Sequence, residues 1–122
     1  MLDDIFSEKK TSKPIFDKKW KAVLFDVYTI LRNHALDNIS IRDAWYYSDR
    51  KYLKKHGIKT YEAYRAHIRR LKHYGYLSVV PNPERKHINY PIPMEYKLSK
   101  AGKNRLKNLE HNVSKGVSNI LH

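Results

Sequence analysis

YEAYRAHIRRLKHYGYL, residues 61–77, is the stretch on which the fold turns. Projected at about 100° per residue, Tyr61, Tyr64, Ile68 and Leu71 fall within one arc. The opposite arc holds Glu62, Ala63, Ala66, Arg69, Arg70 and His73, with Arg65 and Lys72 on a flank. Thr60 is a natural N-cap and Gly75 a natural stop, so the spacing predicts a helix from about Thr60 to Tyr74. One edge of that helix is built for burial. The other is small near its start and cationic further along, which suits either solvent or a polyanion. Taken alone, the segment leaves both open.

Upstream, Trp20, Val23, Leu24, Val27, Tyr28 and Leu31 recur at the spacing of a single buried helical stripe. In NISIRDAWYYSDRKYLKKHG, Ser40 and Asp43 have the form of a capping box, Asp49 is a second N-cap, and Gly57 belongs at a helix C-terminus. Downstream, LSVV is a β-branched run closed by Pro81 and Pro83. A turn-rich loop carrying Arg85, Lys86 and His87 follows it. MEYKL then alternates Met94, Tyr96 and Leu98 against Glu95 and Lys97, the period of a half-buried strand. Ser99 can cap a last helix with Leu106, Leu109 and Val113 on one face, and Gly102 weakens its start. The expected class is mainly α with a small β-hairpin, α+β. Residues 1–16 read as a flexible arm, 17–110 as the domain, and 111–122 as a helix end or tail.

With 122 residues the chain suits a single modest core, and 41% apolar with 30% charged residues is a globular balance. The formal net charge of +13 favours a polyanionic partner. Its placement is more telling than its size. Residues 50–77 hold nine basic groups and one acidic, and residues 84–107 hold seven and two. Those two segments account for the whole excess. Zero cysteines exclude disulfide scaffolds, thiolate metal sites and cysteine nucleophiles, and fit a reducing cytoplasm. No apolar run is long enough to span a membrane, and the acidic start MLDDIFSEKK is unlike a secretory signal.

The run HIRRLKHYGYLSVV…PERKHI…MEYKLSKAGKNRL resembles the winged helix-turn-helix transcription regulators, the broad group that includes PadR-like and MarR-like proteins. The shared residues are Leu71, Gly75, Tyr76 and Leu77, then Arg85 and Lys86, then Tyr96, Leu98, Ser99 and Gly102. NISIRDA resembles the start of the family's second helix, and the likeness covers about residues 18–110. It implies a three-helix core, a two- to three-stranded wing and a C-terminal helix. The helix from Thr60 would be the recognition helix, reading the major groove of double-stranded DNA. Lys59, Thr60, Glu62, Ala63, Arg65, Ala66, Arg69, Arg70, Lys72 and His73 would line that contact. Arg85, Lys86 and His87 would form the wing on backbone or minor groove. A transcriptional regulator, a repressor working as a homodimer, is the implied role. Tyr46, Tyr47 and Tyr61 add hydroxyls for phosphates, whereas Tyr64 is better placed in the core. In one departure, the longer stretch from Trp45 to Lys59 replaces the family's short helix and tight turn.

Two other DNA or RNA roles share these features: a plasmid or virus protein marking a replication or partition site, and a structural RNA-binding protein of ribosomal type. Catalysis is not expected. Seven histidines include no HxxxH or HExxH pair, and the four glycines are isolated, so neither a metal site nor a phosphate loop is spelled out. No cofactor, small-molecule effector or membrane partner is implied.

Overall fold

The computed structural model describes residues 13–81 and 93–109. Helix α1, Lys19–Asn33, carries the expected stripe: Val23, Leu24, Val27 and Leu31 are buried, and Trp20 and Tyr28 pack half-buried against the same core. Ala22, Asp26 and Ile30 are buried as well. The buried arc is wider than one stripe because three later helices pack on α1. The helix closes without glycine. Ala35 takes φ 53° so that the Leu36 amide can donate to the Leu31 carbonyl at 2.8 Å.

Three short elements follow. Strand β1 is Ile39–Ser40, and helix α2, Ile41–Tyr47, begins where the Ser40 hydroxyl accepts from the Asp43 amide at 3.2 Å. Asp49 caps α3, Arg50–Lys55, by accepting from the Tyr52 amide at 3.0 Å. Gly57, with φ 81°, ends α3 and lets Ile58 donate to Leu53. Local sequence chemistry therefore settles the long Trp45–Lys59 stretch as the end of α2, a separate helix and a turn. The expected three-helix core becomes four.

Helix α4, Tyr61–His73, starts where the Thr60 hydroxyl accepts from Ala63 and stops at Gly75, φ 85°. Strands β2, Leu77–Val80, and β3, Glu95–Leu98, pair antiparallel with Leu77 opposite Leu98 and Val80 opposite Glu95. The other edge of β3 pairs with β1, Ile39 opposite Tyr96, giving the order β1-β3-β2. Tyr96 points into the core as its alternation predicts, but Met94 precedes the strand and is exposed.

Helix α5, residues 100–109, is capped by Ser99, whose hydroxyl accepts from the Gly102 amide at 3.0 Å and donates to the Gly75 carbonyl. Gly102 has a packing reason: a Cβ there would overlap the Tyr76 carbonyl oxygen. Leu106 and Leu109 are buried, while Val113 lies outside the described residues. Five helices and a three-stranded antiparallel sheet make this a mixed α+β fold among the described residues.

The expected loose arm does not extend over residues 13–16. The Tyr52 hydroxyl donates to the Pro14 carbonyl at 2.7 Å, and the Phe16 amide donates to His56 Nε2 at 3.1 Å. Because Nε2 accepts, His56 carries its proton on Nδ1, 3.1 Å from the Tyr52 carbonyl. Lys13 pairs with Asp49 at 3.3 Å. No described helix is long and apolar enough to cross a membrane.

Candidate nucleic-acid interface

Helix α4 presents its charge because its other edge is locked in place. Tyr64, Ile68 and Leu71 are buried, and Tyr61 is half-buried beside Trp45 at 6.3 Å between ring centres. Burying each such side chain contributes about 1.5–3 kcal/mol. Arg65 and Arg69, four residues apart on the exposed side, repel by only about 0.2–0.5 kcal/mol. Burial wins, so the helix can tolerate a ridge of like charge. Part of that ridge has a structural use: Arg70 and Lys72 occupy the last turn, where cations favour the helix dipole. Arg65 and Arg69 have no such use, and neither pairs with a carboxylate among the described residues.

The sequence-predicted contact residues divide into three groups. Lys59, Thr60, Glu62, Arg65, Ala66, Arg69, Arg70, Lys72 and His73 are exposed on or just before α4. Ala63 differs. It is half-buried against the core, which removes it from the outermost face. Arg85, Lys86 and His87, the expected wing, lie outside the described residues. Of the tyrosines suggested for phosphates, Tyr46 and Tyr47 are exposed at 75% and 45% and Tyr61 is half-buried, while Tyr64, expected in the core, is fully buried.

Neither a family model, nor a curated protein, nor a solved structure matches this chain. What the site can do therefore rests on its own geometry.

The group that sequence reasoning missed is Asp26. Its carboxylate is 1% exposed, and it accepts from the Tyr64 hydroxyl at 3.0 Å and from the Asp49 amide at 3.2 Å. One side chain of α1 thus fixes both α4 and the start of α3. Burial pushes Asp26 up to about 6, although the bonds from Asp49 and Tyr64 oppose that rise. Burial and the neighbouring Asp26 charge raise the Tyr64 hydroxyl well above its ordinary value. A lone aspartate inside the apolar run VLFDVYTIL was the available signal.

His67, half-buried on the flank of α4, is lowered by burial and then by the charges of Arg70 and Lys19. A neutral imidazole is therefore the ordinary state there at neutral pH. At the other end, the Arg50 guanidinium sits 4.0 Å above the Trp45 ring and donates to the Trp45 carbonyl. That contact ties the start of α3 to α2, whose Trp45 also lies edge-on to Tyr61 at the start of α4. No cluster of three or more His, Asp or Glu residues with metal-binding proximity occurs among the described residues.

Proposed function

We propose that this chain binds double-stranded DNA sequence-specifically as a winged-helix transcriptional regulator, a repressor acting as a homodimer. The observation that carries the proposal is the exposed ridge of α4. Arg65, Arg69 and Arg70 project from a helix whose opposite edge is immobilised by Tyr64, Ile68 and Leu71. Cations on a rigid helix suit the major groove, where arginine forks meet guanine edges and neighbouring phosphates. The small Ala66 lets the backbone come close at the N-terminal half.

Element order supports the same reading. Helix, strand, helices, then a hairpin whose second strand pairs back with the first strand is the layout a winged helix requires. Arg85, Lys86 and His87 fall in the connection between β2 and β3, the position of a wing. Both basic segments of the sequence then lie on elements that this fold offers to DNA, so phosphate neutralisation and groove reading would act together.

The test is binding of duplex DNA and structured RNA, each over a range of salt, followed by selection of bound sites from random duplexes. A recovered consensus with preference for duplex DNA is the expected result. Equal affinity for both nucleic acids, with no preferred site, would sink the proposal.

A further inference from the structure

Helix α3 is a puzzle if it serves only as a spacer. Six residues cannot sustain a helix in water on their own, and four of them, Arg50, Lys51, Lys54 and Lys55, are cations. The structure invests heavily in holding it. Tyr52 and Leu53 are buried, Asp49 caps its start, and a left-handed glycine closes its end. The Pro14–Phe16 strand of chain is tied to Tyr52 and His56. With Tyr52, Leu53 and His56 turned inward, Lys51, Lys54 and Lys55 share an outward arc of roughly 100°. None of the three pairs with a carboxylate among the described residues. Arg50 is already engaged by Trp45.

The end of α3 also adjoins the start of α1. A Cβ placed on Gly57 would lie 3.2 Å from Lys19 Nζ. Helix α1 in turn packs along α4. Exposed Lys19 and the exposed lysines at the end of α3 therefore border one basic surface. At the other end of α3, the Asp26 carboxylate binds the Asp49 amide and the Tyr64 hydroxyl together, which fixes the two basic helices relative to each other.

We infer that α3 is a second phosphate-docking element, in which Lys51, Lys54 and Lys55 engage the backbone of the same duplex that α4 reads. The inference rests on the proposed DNA-binding function and adds to it a contact outside the recognition helix. Lysine is suited to this work: a flexible point charge follows a phosphate but carries little base specificity.

The triple variant Lys51→Gln/Lys54→Gln/Lys55→Gln tests it, with Lys51→Arg/Lys54→Arg/Lys55→Arg as the charge-preserving control. All three positions are exposed, and thermal melting by circular dichroism checks that each variant stays folded. The glutamine variant should lose about tenfold or more in affinity for every duplex at low salt. Its slope of log affinity against log salt should be shallower by about 2–3, since each phosphate contact contributes about 0.9. The preferred sequence should not change, and the arginine variant should keep the wild-type slope. An unchanged slope in a glutamine variant that still binds would overturn this inference and leave the role of α4 standing. A changed sequence preference would overturn it too, because α3 would then be reading bases or aiming α4. Failure of the wild-type protein to bind duplex DNA at all would instead overturn the proposed function, and this inference with it.

Discussion

Asp26 shows how much one buried residue organises. Its ordinary value is 3.8 and burial pushes it to about 6, so between those limits the folded chain holds a proton that the unfolded chain has released. Stability from this group is therefore fully present below about pH 4 and is lost as pH rises through about 6. A gap of about two pH units, at about 1.4 kcal/mol each, is on the order of 3 kcal/mol. Chemical unfolding of wild type and Asp26→Asn at pH 4.5 and 7.5 checks the sign. Whatever the wild-type advantage is at neutral pH, it should grow toward acid; a constant difference would refute the effect. Gly102 is the other decisive position. Alanine there should cost about 1–3 kcal/mol, because its Cβ meets the backbone of Tyr76 rather than a side chain that can swing away. A melting temperature unchanged in Gly102→Ala would contradict that packing. Helix propensity marks Gly102 only as a weak helix residue, since the carbonyl it makes room for is 26 positions away.

Helices were legible wherever their ends are local chemistry. Ser40, Asp49 and Thr60 are caps by residue type and position, and each accepts the amide of the residue three positions on. Gly57 and Gly75 mark helix stops in the sequence, and both take the left-handed backbone that glycine allows. The α4 stripe was legible too, because helical period alone assigns Tyr64, Ile68 and Leu71 to one side. Ala63 was harder: it lies near the border of the two arcs, and only packing put it against the core. For α4 the prediction concerns the paired arginines. Arg69→Ala/Arg70→Ala should reduce affinity for the selected site by tenfold or more while general DNA affinity falls less, since a bidentate base contact contributes about 1–3 kcal/mol of discrimination. Competition binding against random duplex measures the ratio. Retention of site preference would mean that α4 is not the reading element.

At the scale of the whole molecule, phosphate contacts add up in the salt dependence of binding. Arg85→Ala/Lys86→Ala should weaken binding to every duplex alike and make the salt slope shallower by about 2, a titration over 50–200 mM salt being sufficient to see it. A selected consensus that is palindromic would report the two-fold relation expected of a homodimer. The sequence by itself determined the helix spacings, their caps and stops, the alternation of β3 and the two basic segments. These are properties of neighbours along the chain, fixed by backbone geometry and side-chain type within a few residues. Only the tertiary structure decided that Asp26 faces inward, that residues 13–16 are tied to α3, and that β1 pairs with β3. Each of those depends on groups brought together from afar: Tyr64 lies 38 positions from Asp26, and His56 lies 40 from Phe16. A buried carboxylate or a two-residue strand has no stable local form. It becomes favourable only when folding supplies the donors that water would otherwise provide.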